Sequence, residues 1–439
     1  MTEMDKENRG FYALLLSSSV STIGNGIRTL VIPLIILYLT GSTFLFGLIY
    51  SAEFLVWIIS TGFTGYFVDR RNRVMSMSYS NLVMFLLMMC VSISFFVAYS
   101  YFILFIVIAL IGTGIGQSFY NPSSFSLLPE IVHRDLDKHN ALISMCVNIS
   151  MIGGYIVAGL GFSIISWGIL LSIDALSFLV SAIIAIVGLR RYSKNEKTEK
   201  IHLWKETKET FSFLKPQKVI LYTIGFGFVF NFLTSGMVII LPTIAVENTS
   251  FGSISLSLFY ITELIGMVLG GSLIAVKKNR RLLNYLLVGS IGEGLVMVII
   301  GLSLFVVGIV VIVVSLILLV DGFFSEILNI PLIVWYQELV PKDKRAKVIN
   351  LTDLILTIPM VISTALVGYL LGHYSEWLII FIFGLSAMII SIFEYALLKP
   401  LLLNFNTSFQ MNTYSLAEQG NEDLEDQSFG KGEKRGKWK

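Results

Sequence analysis

Polar residues along this chain come in clusters, and the apolar stretches between them are long and even. Lysine and arginine fall at 6–9, 70–73, 134–138, 190–218, 277–281, 342–347, 399 and 431–439, with Arg28 the one exception. Between these clusters run six charge-poor stretches, 10–69, 74–133, 139–189, 219–276, 282–341 and 348–398. Each leaves room for two membrane spans of about 20–25 residues and a short turn. Six such hairpins make twelve helices, so the expected fold is an all-α polytopic membrane protein. Backbone polar groups in hydrocarbon must be satisfied by helices or closed barrels, and runs this continuously apolar are helices rather than alternating barrel strands. The turns within the hairpins are expected at Thr40–Thr43, near Tyr99, Ser163–Trp167, Glu247–Gly252, near Val306 and Gly372–Glu376, all without Lys or Arg. Every basic cluster then lies on one side, the cytoplasmic side, together with both termini.

Composition agrees with this pattern. Of 439 residues, 55% are hydrophobic and 14% charged, where soluble proteins carry about a quarter charged residues. The net charge of +2 says little about partners, and no nucleic-acid patch is visible. The first apolar run, from Phe11 to about Leu39, is too long for a signal-peptide core and shows no small-residue cleavage site, so it reads as a retained span. Cys90 and Cys146 make no disulfide framework and read as small buried hydrophobes.

The halves of the chain repeat. Tyr50 and Glu53 recur 210 residues later as Tyr260 and Glu263. Gly114, Asn121, Glu130, Val132 and Asp135 recur 208 residues later as Gly322, Asn329, Glu338, Val340 and Asp343. Polar residues are scarce here, so this register implies two parallel, pseudo-symmetric six-helix halves. The expected division is 1–189 for the first half, 190–218 for a cytoplasmic linker, 219–398 for the second half and 399–439 for a disordered cytoplasmic tail. Within the linker, Leu203, Trp204, Phe211 and Leu214 recur at helical spacing among charges, which fits a short helix on the membrane surface; a solvated linker remains the alternative.

The stretch Gly65–Tyr66–Phe67–Val68–Asp69–Arg70–Arg71–Asn72–Arg73 ends the second span. It resembles the loop between the second and third helices of the major facilitator superfamily, with Asn72 in place of a glycine; Asn72 tolerates a left-handed turn. Ile173–Asp174–Ala175–Leu176–Ser177–Phe178, Asn121–Pro122 with Leu128–Pro129–Glu130, Asn140–Ala141–Leu142 and Leu241–Pro242 resemble the macrolide-efflux and enterobactin-exporter branch of that superfamily. The chain departs from the branch at Tyr155, where a proline often follows the glycine, and at Arg345–Ala346–Lys347–Val348. It also lacks an arginine between Ala109 and Tyr120, which many drug–proton antiporters of the family carry. The resemblance implies a secondary active transporter without cofactor, working as a monomer in a bacterial plasma membrane. It implies export of amphipathic or hydrophobic compounds such as macrolide-like antibiotics, with protons as coupling ion.

Charges inside a bilayer are costly, which makes such residues functional candidates by default. Arg28 follows Gly24–Asn25–Gly26 in the first span and either faces a cavity carboxylate or braces helices. Glu53 and Glu263 sit at equivalent places in the second and eighth spans, as proton carriers or packing acids. Asp321 and Glu326 stand in the tenth span, and Glu326 is the preferred proton or cation site, since a carboxyl withdrawn from water can load and release a proton. Glu293 is a further candidate in the ninth span, which is usually peripheral in the family. Asp174 reads as structural. Asn25, Gln117, Asn148 and Asn231 can bond substrate or bridge helices. At the cytoplasmic mouth, Gly65, Asp69, Arg70 and Arg73 are expected to latch one state through charge-assisted bonds; topology-fixing positive charge is the alternative. His133, His139, His202 and His373 lie in loops or at span ends. No phosphate-binding loop, metal-ligand cluster or nucleophile elbow appears in the sequence. A carrier for a siderophore, peptide or metabolite is the runner-up; a non-transporting membrane receptor or scaffold is the alternative of another class.

Overall fold

The computed structural model describes residues 3–68, 72–132, 135–192, 203–276, 282–305, 309–341 and 344–401. Among them there is no strand. The first six spans are α1 (Glu3–Thr40), α2 (Thr43–Val68), α3 (Arg73–Val97), α4 (Phe102–Ile131), α5 (Leu136–Gly161) and α6 (Trp167–Leu189). A short helix, α7 (Leu203–Leu214), precedes the second set: α8 (Lys218–Thr234), α9 (Met237–Glu247), α10 (Gly252–Val276), α11 (Leu282–Ser303), α12 (Val310–Leu339), α13 (Arg345–Leu371) and α14 (Glu376–Leu401). Twelve of these segments are long and apolar enough to cross a membrane, with α8 and α9 forming one span.

The turns fall where polar punctuation places them. α1 stops at Thr40 because Gly41 takes a left-handed conformation (φ +59°) and its N–H returns to the Leu37 carbonyl at 2.9 Å. α3 starts on Asn72, whose side chain accepts the Met75 N–H at 3.2 Å. Asn72 has φ −57° and ψ 110°, so it serves as an N-cap with extended backbone and not as the left-handed turn residue expected from the sequence. The turn expected near Val306 lies outside the described residues.

The seventh span is not continuous. It breaks at Ser235–Gly236, where the chain passes from α8 to α9. Pro242 in α9 has no N–H to return one turn back. Gly236 leaves only 2.6 Å between the position of a Cβ and the Val367 side chain, so α9 begins pressed against α13.

Packing runs mainly within each set of spans: α1 against α5 and α6, α3 against α4 and α6, α2 against α4, then α10 and α11 against α12 and α8 against α13. Between the sets, α2 meets α13 and α5 meets α10. The hydroxyls at these two seams donate to backbone carbonyls of the other set. Thr43 Oγ1 reaches Gly368 O at 3.0 Å and Ser51 Oγ reaches Val361 O at 2.8 Å. Ser253 Oγ reaches Gly159 O at 3.0 Å and Ser257 Oγ reaches Tyr155 O at 2.8 Å. All four lie toward the end of the bundle that carries the hairpin turns, away from the N-terminus. Gly47 and Gly368 lie back to back there, a Cβ on Gly368 falling 2.9 Å from the Gly47 Cα. An interhelical hydrogen bond in a membrane is worth about 0.6 kcal/mol. Four of them tilt a two-state equilibrium without locking it.

Candidate functional site

Intramembrane charge is arranged differently in the two sets of spans. In the first, α1, α2, α4 and α6 converge on Arg28. Its Nη2 donates to Asn25 Oδ1 at 2.8 Å, and Gln117 Nε2 donates to the same oxygen at 3.3 Å. The guanidinium stands 5.6 Å from the Phe178 ring centroid, close enough for a cation–π attraction. Arg28 also acts electrostatically on Glu53 of α2 and Asp174 of α6. No ion pair closes with either acid. The Arg28 Nη1 and both Asp174 carboxylate oxygens are buried without hydrogen-bond partners. One cation thus serves two acids, and Arg28 and Asp174 keep bonding capacity in reserve. Asp174, read from the sequence as structural, is fully buried and belongs to the surroundings of Arg28.

The second set has acids without a cation. The spans within 219–276, 282–341 and 348–398 contain no Lys or Arg. Glu263 of α10 lies beside Tyr155 and Tyr260, whose rings meet tilted by 40° with centroids 5.2 Å apart across the α5–α10 seam. Glu263 also acts on Glu293 of α11 and Asp321 of α12, and Glu293 acts on Asp321. Tyr155, where the family branch often has proline, is therefore a seam residue. Glu326 stands apart from this group, against Gly270 of α10.

A cavity of about 220 Å³ opens among α8, α11, α12, α13 and α14. Asn231 lines it while donating to the Leu356 carbonyl at 3.1 Å. Glu293, placed by the sequence on a peripheral span, faces this space with Ser325 beside its carboxyl. Glu394 of α14 lines the same space, and sequence reasoning missed it. The available signal was the one acid inside the mostly apolar run Trp377–Leu398 of the twelfth span.

At the end of the bundle opposite the hairpin turns, Arg73 pairs with Glu130 of α4 and reaches the Ser126 carbonyl at 3.4 Å. Glu130 was not among the expected latch residues. Gly65 lies in α2, while Asp69 and Arg70 lie outside the described residues.

Residues 14–364 match the model of the Major Facilitator Superfamily. The chain belongs to the Major Facilitator Superfamily. It is therefore a multi-pass membrane transporter and not an enzyme. This superfamily member is 22% identical over 272 residues to macrolide efflux protein A of Streptococcus pyogenes, covering 61% of this chain and 67% of that protein. A POT family transporter crystallised with 5-aminolevulinic acid shares the fold, with a TM-score of 0.73 at 14% identity, over 88% of this chain and 95% of that one. A bacterial homologue of the iron transporter ferroportin, solved in an inward-facing state, gives a TM-score of 0.71 at 15% identity, over 90% and 100%.

Proposed function

We propose that this transporter exports amphipathic or hydrophobic compounds, macrolide-like antibiotics among them, from a bacterium in exchange for protons. It would sit as a monomer in the plasma membrane with both termini in the cytoplasm, its halves 1–189 and 219–398 rocking as two bodies. The observation that carries the reading is the contrast in charge. The first half balances Glu53 and Asp174 around Arg28, whereas the second holds Glu263, Glu293 and Asp321 close together with no basic residue in its spans. Carboxyls so placed are relieved by taking up protons, and they release them when water or an arriving substrate changes their surroundings. The distant likeness to a macrolide efflux protein supports the substrate class.

The mechanism is alternating access. With the termini inside, the four seam hydroxyls hold the outer end together, and on this reading the conformation faces the cytoplasm. Substrate enters from that side. Proton loss from the second-half acids lets the inner ends approach, where Asp69, Arg70 and Arg73 latch, while the outer seams part. Protonation from outside then resets the carrier. The direct test is transport of a labelled panel, comprising macrolides, other amphipathic drugs, peptides and siderophores, in inverted vesicles under an imposed proton gradient. Gradient-driven uptake of the amphipathic drugs supports the reading. Uptake confined to peptides or siderophores replaces it with a nutrient or metabolite carrier.

A further inference from the structure

The short helix ahead of the second set of spans has two unlike faces, and only one of them is covered. α7 packs against α13 and α8. Thr210 and Leu214 are buried, Leu214 among Ile220, Val340 and Val348. Phe213 meets Lys344, whose Nζ stands 4.4 Å from the ring centroid. Another face carries Lys208, Phe211 and Lys215, all exposed. Positions three and four apart share a helix face. The Lys215 N–H bonds the Phe211 carbonyl at 3.0 Å, so the helical turn runs on past Leu214. The register of α7 extends this face back to position 204, a tryptophan. Glu209, two positions from Phe211, lies off it.

Place and chemistry together select an occupant. Only Lys215, Pro216 and Gln217 separate α7 from α8, and the Gln217 N–H bonds the Leu214 carbonyl at 2.8 Å. The helix is therefore held beside the first residues of two spans, Lys218 of α8 and Arg345 of α13, where the chain passes between water and hydrocarbon. Phe211 is 54% exposed between its two lysines. At a bilayer surface such a ring enters the boundary between head groups and acyl chains, while lysine stems lie along it and their ammonium groups stay with the phosphates. The face brings two positive charges, on Lys208 and Lys215, and none of its positions is acidic. That complements a head group of net negative charge better than a zwitterionic one.

We infer that the Lys208–Phe211–Lys215 face of α7 binds an anionic phospholipid at the end of the bundle that carries the N-terminus, Phe211 seating among the acyl chains and the two lysines holding the phosphate. The covered face meets Lys344, the N-cap of α13, so one helix connects the lipid to the start of a span. The inference goes beyond the exporter reading and stands whether or not a macrolide is carried.

The test uses the full chain in phosphatidylcholine nanodiscs, with Cys90→Ser, Cys146→Ser and a bimane fluorophore on Ser212→Cys, next to Phe211. Phosphatidylglycerol or phosphatidylcholine carrying a nitroxide high on one acyl chain is added at equal mole fraction, and quenching is compared. The expected result is that phosphatidylglycerol quenches as if enriched about fivefold or more near α7. The preference should collapse in about 1 M salt and survive added glycerol phosphate, which has no acyl chain. It should be lost when Lys208→Gln and Lys215→Gln are combined, and kept in Lys138→Gln, an exposed lysine at the same end of the bundle. A second readout needs no lysine variant: quenching by aqueous iodide should fall once phosphatidylglycerol is present. Equal quenching by the two lipids, a preference indifferent to the double substitution, or an equal loss in Lys138→Gln overturns the inference. Strong iodide quenching with no lipid quenching in either mixture also overturns it and leaves the face to a soluble partner.

Discussion

Glu263 of α10 rests on Gly322 of α12 so closely that a Cβ at Gly322 would lie 2.9 Å from the Glu263 carbonyl carbon. The equivalent contact in the first half joins Glu53 to Gly114, but there the added Cβ would stand 3.7 Å from the Glu53 carbonyl oxygen, an ordinary van der Waals distance. The same acid–glycine pairing is thus built twice and tightened once. Gly322→Ala should cost about 1–3 kcal/mol through overpacking, and Gly114→Ala should be neutral or slightly stabilising by helix propensity. Thermal unfolding of both variants in one detergent checks this. Equal effects would mean that the two contacts do not differ as described.

Arg28 stabilises the first half by its charge. Arg28→Gln should lower stability by about 1–3 kcal/mol, because it removes the charged donor bonded to Asn25 and the positive charge that acts on buried Asp174. Arg28→Gln combined with Asp174→Asn should recover most of that loss. A double variant no more stable than the single one would show that Asp174 does not depend on Arg28.

The sequence made much of this legible because polar residues are rare in it. Clustered Lys and Arg marked one end of every hairpin, and the turns at Thr40–Thr43, Ser163–Trp167, Glu247–Gly252 and Gly372–Glu376 fall between observed helices. The spacing of Leu203, Trp204, Phe211 and Leu214 showed α7, because a helix repeats its apolar face whatever lies nearby. What stayed hidden depends on which helices touch. Glu293 and Glu394 are 101 positions apart and share no motif; only the packing of α11 and α14 around one cavity joins them. Asp174 looked structural because nothing in its own span shows that Arg28 faces it. The break at Ser235–Gly236 was missed because it depends on the close approach of α13.

Arg73 and Glu130 are each about a quarter exposed, at 23% and 27%. Such a pair contributes about 1 kcal/mol or less to stability. Arg73→Glu and Glu130→Arg should therefore each leave thermal stability nearly unchanged while reducing transport, and the exchanged pair should restore it. Asp69→Asn should likewise reduce transport without lowering membrane abundance. Normal flux in all of these variants would remove the cytoplasmic latch.

The seam at the hairpin-turn end is closed by backbone contact, with 2.6 Å between a Cβ on Gly368 and the Thr43 carbonyl oxygen. Gly368→Val should hold that end apart, lengthening the distance between spin labels at Ser42 and Asn248 and stopping turnover. An unchanged distance distribution would show that the seam does not set the state.

Coupling is read most directly in inverted vesicles carrying the unmodified protein or Asp321→Asn, with labelled macrolide outside and an inward-acidic proton gradient imposed. The unmodified protein should accumulate macrolide only while the gradient lasts and lose it when a protonophore is added. Asp321→Asn should still exchange macrolide across the membrane but no longer respond to the gradient. Accumulation indifferent to the gradient, or no macrolide movement at all, would contradict proton-driven export.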